Sequence, residues 1–418
     1  MKAINSSQIS GSIKAPASKS VMIRAAAASL LAAGTSHLLN PSFCADSLAA
    51  LRIVETMGAD VKSGKESVSI RGTGALATEG FKKNTISCGE SGLCMRMFTP
   101  IAGLTRYKFI IEALGSLCSR PMETLETLSL MGATCVTNGG YPPVTIRGPM
   151  RGGAITIDGS RTSQFLTGLL MAAPLCQEDT SIEVIDLKSK PYVEMTIDLL
   201  KRFGITIDHD EDLRFFKIKG NQRYEAQTYP IEGDWSGAAF LLVAGAIAGC
   251  LWVKGLRADS FQADKTILEV LTRAGASVEI TGDDILVKKT DLMAFEFDAT
   301  ECPDLVPPLV ALAAHCRGKS VIHGIERLQH KESNRSAALA SEFSRLSIKI
   351  ELFNDRMEIY GGKPIGNLVD SHNDHRIAMA CAVASLNGER PVVIENYQCV
   401  AKSYPDFFRD IHSVQVIS

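Results

Sequence analysis

The sequence predicts an α/β fold made of six copies of one unit, and three observations predict it. Met57-Gly58-Ala59, Met131-Gly132-Ala133, Phe203-Gly204-Ile205, Ala274-Gly275-Ala276 and Leu346-Ser347-Ile348 recur at intervals of about seventy residues. Each follows a stretch with helical spacing and precedes a short alternating run. At the same interval, a polar cluster stands directly ahead of an Ala- and Leu-rich segment.

The helical stretches include Leu48 to Met57, Leu125 to Met131 and Val193 to Phe203, each closed by a glycine suited to a helix C-cap. The alternating runs VSIRG (68–72), VTIRG (144–148), FFKIKG (215–220), ILVKK (285–289) and MEIYGG (357–362) read as strands. The sixth unit has its helix in PDFFRDIHSVQVIS, and the chain stops before its strands are complete. The polar, alternating opening MKAINSSQISGSIKAP is expected to supply the missing strand. Residues 1–14 and 233–418 then form one domain of three units, into which 15–232, the other three, are inserted.

Length and composition agree. A chain of 418 residues with 45% hydrophobic content can bury two cores. No apolar run is long enough to span a bilayer, and Lys14, Lys19 and Arg24 interrupt the only candidate leader. A cytoplasmic protein without membrane contact is expected. Eleven cysteines without a CxxC pair fit reduced, packed thiols better than a disulfide or zinc framework. The net charge of −2 gives no basic field for nucleic acid, so any anion site is built locally.

The polar clusters are Lys19-Ser20, Gly92, Ser163-Gln164, Ser236, Asp304 and Asn373-Asp374. Each opens a helix, and a helix N-terminus with unpaired N–H groups is an anion site. A second set in register, Asp46, Arg120, Lys190, Gln262, Lys331 and Lys402, is mostly cationic. Solvated loop cations are the ordinary reading of any one of them, and Ser160 to Gln164 also reads as N-capping. Placement in register points instead to a small polyanionic ligand.

Eight strings carry a resemblance: APASKSVMIRAAAASLLAAG (15–34), CGESGLCMR (88–96), SRP (119–121), GSRTSQFLTGLLMAAPL (159–175), SKPYVEMT (189–196), HKESNR (330–335), NDHRIAMA (373–380) and VAKSYPDFF (400–408). In this order and spacing the chain resembles the 5-enolpyruvylshikimate 3-phosphate synthases. The resemblance implies two similar domains, each of three βαβαββ units arranged as an inside-out α/β barrel with pseudo-threefold symmetry. It also implies an active-site cleft between them that closes on the ligands. The implied reaction moves the enolpyruvyl group of phosphoenolpyruvate to the 5-hydroxyl of shikimate 3-phosphate, releasing phosphate.

By the same resemblance, Lys19, Ser20, Arg24, Thr162, Ser163, Gln164, Ser189, Tyr192, Asp304, Arg327 and Lys331 take shikimate 3-phosphate. Lys19, Gly92, Arg120, Gln164, Arg335, His375, Arg376 and Lys402 take phosphoenolpyruvate. Arginine suits both because its fork matches carboxylate and phosphate. Addition followed by elimination needs an acid, a base and a positive surrounding. Asp304 is the implied base and Glu332 the implied proton donor, with Lys331 competing for either role and Lys19 counted with them as catalytic. No metal or cofactor is implied, and a monomer is expected.

Some residues depart from the family pattern. Glu90 and Leu93 replace an amide and a hydroxyl, His330 replaces an aliphatic residue, Asn334 replaces Asp, and Arg327 stands where a small polar group is common. A carboxylate at position 90 would need a cation, with Lys19 or Arg120 as candidates. Two other readings stay open: a UDP-N-acetylglucosamine enolpyruvyl transferase, kept in view by Cys118, and a non-catalytic anion-binding relative.

Overall fold

The computed structural model describes residues 1–74, 81 and 83–416. They form two compact units, Met1–Pro16 with Glu232–Ser418 and Ala17–Ile231. Six apolar helices lie at their centres: Lys19–Leu31, Gly92–Ala102 and Gln164–Ala172 in one, Trp235–Ala248, Val306–Ala313 and His375–Ser385 in the other. A helix that is apolar all round must be surrounded by protein, and from Trp235 to Ala248 every residue is buried. The last three pack on one another. Gly92–Ala102 and Gln164–Ala172 approach so closely that a Cβ on Gly168 would lie 2.6 Å from the carbonyl oxygen of Arg96.

Sheets of three to five strands, most of them four-stranded, cover these helices, and one pattern repeats. In the second unit Thr85–Ser87 pairs in parallel with Lys108–Glu112, which pairs antiparallel with Tyr141–Arg147, itself antiparallel to Thr134–Asn138. The sheets led by Gly153–Asp158 and Glu296–Asp298 follow the same order. Alternate residues of these strands face the core, the period expected of a sheet covered on one side.

The chain closes its incomplete units by crossing over. Lys2–Ile4 pairs antiparallel with Val392–Glu395, which supplies the strand that the sixth unit lacks. The opening segment does more than expected, because Ile9–Lys14 also leads the fourth unit, in parallel with Gly249–Lys254. Tyr224–Glu225 and Thr228–Pro230 do the same for the first, beside Ala32–Leu39.

The recurring glycines have one backbone job. Gly58, Gly132, Gly204 and Gly275 have φ of +103°, +91°, +83° and +88°, and Ser347 takes +63° at the fifth place. Each ends the second helical element of its unit in the left-handed region that glycine enters freely. One expected α-helix differs. Glu123–Met131 is a 3₁₀-helix, burying Leu125, Leu128 and Met131. A spacing of three matches the 3₁₀ period rather than the α period. Among the described residues no helix is long and apolar enough to cross a membrane.

Candidate active site

The candidate residues fall into two groups, one in each unit. In Ala17–Ile231, Lys19 opens its helix behind the N-cap Ser18, and its Nζ lies 3.1 Å from Asp46 Oδ2. Ser20 follows, its carbonyl accepting a bond from Arg24 Nη1 at 2.9 Å. Arg24 is 2% exposed and also donates to Thr196 Oγ1 at 2.9 Å and Thr167 Oγ1 at 3.3 Å. These partners are all neutral. Burial pulls the guanidinium down to about 10, with the nearby Tyr192 and Tyr229 opposing.

Gly92 starts its helix behind Ser91, which accepts a bond from Cys94 N–H. A Cβ at position 92 would lie 2.8 Å from Arg120 Nη1 and 3.0 Å from Arg96 Nη1. Two guanidinium groups therefore crowd this helix N-terminus, and a side chain there would push them aside. Arg96 Nη1 donates to Gln164 Oε1 at 3.0 Å and its Nη2 to the Pro121 carbonyl at 2.8 Å. Thr162 Oγ1 accepts from Gln164 N–H at 3.2 Å, so Thr162 caps this helix and the buried Ser163 hydroxyl does not.

Ser189 precedes Lys190 and Pro191 at the next helix start with φ +58°, left-handed for a non-glycine residue. Tyr192 lies one turn further, its carbonyl accepting from Thr196 Oγ1. Glu90 accepts from Ser116 N–H at 3.1 Å and Ser116 Oγ at 2.9 Å, pressed against Gly115. Leu93 is buried.

In the other unit the charges are denser. Asp304, in the 3₁₀ turn Pro303–Leu305, lies 2.7 Å from Arg335 Nη1, 3.2 Å from Arg376 Nη2 and 3.6 Å from Lys331 Nζ. Burial alone would raise its carboxyl, but Arg376, Lys331 and Arg335 outweigh burial and hold it well below the usual carboxylate range. Burial pulls the Lys331 ammonium down to about 8, with Asp304 opposing and Arg327 and Arg335 reinforcing.

Arg335 is 1% exposed and spreads over three carboxylates: Asp304, Glu332 at 2.5 Å and Asp374 at 2.8 Å. Burial would lower it, yet Asp374, Glu332 and Asp304 hold it above its usual value. Arg376 also donates to Ser236 Oγ at 2.7 Å and to the Asp304 carbonyl at 3.3 Å. His375 is buried beside Asp374. Lys402 ends the 3₁₀-helix Tyr397–Lys402, packed on the His375–Ser385 helix. Arg327 donates to the Thr300 carbonyl at 3.1 Å and lies near enough to Lys331 to act on its charge. Of the other departures, His330 is exposed and Asn334 caps the Arg335–Arg345 helix through Ala337 N–H.

Sequence reasoning missed two members of this arrangement. Asp374 caps Arg376 N–H with one oxygen and grips Arg335 with the other. Its place in NDHR signalled only the cap. Arg96 closes the segment CGESGLCMR, and nothing in one sequence distinguishes an arginine that orients Gln164 from a solvated one. Lys19, Arg24, Arg96, Arg335 and Arg376 are costly to bury, which fits groups meant for anions and for the carboxylates that hold them.

The comparisons with known proteins agree with one another. A family model described as EPSP synthase (3-phosphoshikimate 1-carboxyvinyltransferase) matches residues 4–411. A 3-phosphoshikimate 1-carboxyvinyltransferase of Clostridium novyi is 36% identical over 418 residues, covering 98% of this chain and 96% of that one. One of Methanocorpusculum labreanum is 37% identical over 416 residues, covering 98% and 97%. The solved EPSP synthase of Acinetobacter baumannii superimposes with a TM-score of 0.81 at 25% identity, covering 99% and 98%. The enolpyruvyl transferase NikO from Streptomyces tendae shares the fold, with a TM-score of 0.77 at 16% identity over 99% and 96%.

Proposed function

The chain belongs to the EPSP synthase (3-phosphoshikimate 1-carboxyvinyltransferase) family, and from that premise we propose how its own residues carry the reaction. The enzyme transfers the enolpyruvyl group of phosphoenolpyruvate to the 5-hydroxyl of shikimate 3-phosphate, a step of aromatic amino acid biosynthesis. The names of its relatives favour this activity over the UDP-N-acetylglucosamine reaction.

Both substrates are anions with fixed carboxylate and phosphate geometry. Arg24, with neutral partners, suits the shikimate carboxylate, and Thr162, Ser163 and Ser189 at two helix starts suit its 3-phosphate. Gln164, steadied by Arg96, and Tyr192 orient the ring. Lys19, Arg120, Arg335, Arg376 and Lys402 suit phosphoenolpyruvate together with the helix start at Gly92. His375 supports this set, and Arg327 adds positive charge beside Lys331.

The observation that carries the chemistry is the triple grip of Arg335, Arg376 and Lys331 on Asp304. In the free enzyme these cations make Asp304 a weak base. Substrate anions that engage them weaken the grip, and Asp304 becomes basic enough to take the 5-hydroxyl proton as oxygen attacks C2 of phosphoenolpyruvate. The methylene carbon takes a proton in the same addition. Lys331, near 8, holds one at neutral pH, whereas Glu332 accepts from Arg335, so Lys331 is favoured as the donor and Glu332 as its orienting neighbour. Elimination expels phosphate and returns a methyl proton to the enzyme. The surrounding cations stabilise the departing phosphate.

Cytoplasmic residence and a monomeric state belong to the same proposal. Carbon-13 NMR of the protein with C2-labelled phosphoenolpyruvate and shikimate 3-phosphate tests it. The label must move into an enol ether, and its persistence as phosphoenolpyruvate would contradict the reading.

A further inference from the structure

One buried carboxylate in the Asp304-bearing unit is not used by this chemistry. Glu342 is 1% exposed and lies about two turns after Arg335 on the Arg335–Arg345 helix, on the same face. Its Oε1 accepts from His372 Nε2 at 2.9 Å and Ser341 Oγ at 3.1 Å. Its Oε2 accepts from Asp370 N–H at 3.0 Å and lies 3.4 Å from Arg345 Nε.

Asp370 and His372 belong to the connection from the strand Leu368–Asp370 to the helix that starts with His375 and Arg376. This connection is conformationally expensive. His372 and Asn373 are consecutive left-handed residues, with φ of +51° and +54°. Local bonds help to hold it: His372 N–H to Asp370 Oδ1 at 2.9 Å, Asn373 N–H to Ser371 Oγ at 3.2 Å, and Asn396 Nδ2 to Asp370 Oδ1 at 3.3 Å. One helix grips the segment at both ends, through Arg335 on Asp374 and through Glu342 on Asp370 and His372.

We infer that Glu342 and His372 form a positioning pair that sets the pose of Asp374, His375 and Arg376, and through Arg376 the affinity for phosphoenolpyruvate. The pair touches no substrate in the reading above, on which the kinetic part of this inference rests. Removing the carboxylate's charge or the ring's N–H weakens or removes the bond between them and frees the two left-handed residues to relax. A small shift of an anchoring guanidinium is enough to weaken a bidentate contact.

The test compares Glu342→Gln, His372→Phe and His372→Gln with the wild-type chain. Gln at 372 keeps an N–H that can reach Glu342. In steady-state assays Glu342→Gln and His372→Phe should raise the KM for phosphoenolpyruvate about fivefold or more and leave that for shikimate 3-phosphate within about twofold. His372→Gln should recover most of the loss. In hydrogen–deuterium exchange of the unliganded proteins, residues 370–376 should exchange faster in the first two variants while the rest of the chain is unchanged. Unchanged exchange there, or equal rises in both KM values with chain-wide faster exchange, would overturn the inference. If the wild-type chain releases no phosphate, the proposed function fails, and the exchange data alone decide the positioning role.

Discussion

Arg335 Nε lies 2.8 Å from Asp374 Oδ2, with both side chains sealed from solvent. The pair joins the N-termini of the Arg335–Arg345 and His375–Ser385 helices, because Asp374 also caps Arg376 N–H at 3.0 Å. An anchoring arginine is therefore also a structural one. Its two roles separate by measurement.

Arg335→Ala leaves Asp374, Glu332 and Asp304 without their shared cation. Breaking a buried pair by removing one partner costs about 3–5 kcal/mol. Urea unfolding should show a loss of that size. Arg335→Lys, which keeps the charge and loses the fork, should cost less. A midpoint unchanged in the alanine variant would show that Arg335 is not needed to hold these carboxylates in the fold.

Asp304→Asn keeps shape and removes the proton acceptor. Turnover should fall by about 10²–10⁴, the usual worth of a positioned base. Phosphoenolpyruvate should still bind, since Arg376 and Lys402 remain. Turnover near that of the wild type would remove Asp304 from the proton transfer.

Lys331 gives a pH dependence with a fixed sign. Its ammonium is lowered from its usual 10.5 to about 8, so the fold disfavours the charged form. Between these two values the unfolded chain binds the extra proton, and this group makes stability rise with pH. Below about 8 the penalty is fully present. As proton donor, Lys331 should make kcat/KM fall as pH rises through about 8. Lys331→Arg should lower the rate and remove that limb. A limb unchanged in the variant would assign it elsewhere.

Ser189 separates stability from function. Its left-handed φ of +58° is paid for by the surrounding fold. Ser189→Gly should therefore gain a few tenths to about 1 kcal/mol of stability. The same change deletes a hydroxyl proposed for the 3-phosphate, so the KM for shikimate 3-phosphate should rise about fivefold or more. Thermal unfolding and steady-state kinetics check the opposite signs. A variant that gains stability without loss of affinity would remove Ser189 from the phosphate site.

The repeat was legible because glycine marks backbone geometry that few other residues adopt. Gly58, Gly132, Gly204 and Gly275 announced their left-handed positions, and Ser347 was placed only by the interval. The 3₁₀ character of Glu123–Met131 was present in the spacing of Leu125, Leu128 and Met131, but a short apolar run does not distinguish the two helix types strongly. The pairing of Ile9–Lys14 with Gly249–Lys254 joins segments too distant in sequence for any local pattern to reveal. Among site residues, Lys19, Arg24, Arg120, Lys331, Arg335, Arg376 and Lys402 stood in recognisable strings, whereas Asp304 was marked by its place in the repeat interval. Asp374 and Arg96 act through other side chains, and Glu342 sits at an ordinary helical position, so their roles needed coordinates. Glu90 was expected to need a cation, and the local bonds from Ser116 were not visible beforehand.

The chain belongs to a family that transfers the enolpyruvyl group of phosphoenolpyruvate to shikimate 3-phosphate. Phosphate release from the purified protein tests this activity most directly, with phosphoenolpyruvate and shikimate 3-phosphate together, each alone, and phosphoenolpyruvate with UDP-N-acetylglucosamine. Release should require shikimate 3-phosphate and phosphoenolpyruvate together. Release with the nucleotide sugar, or silence in every mixture, would contradict the account.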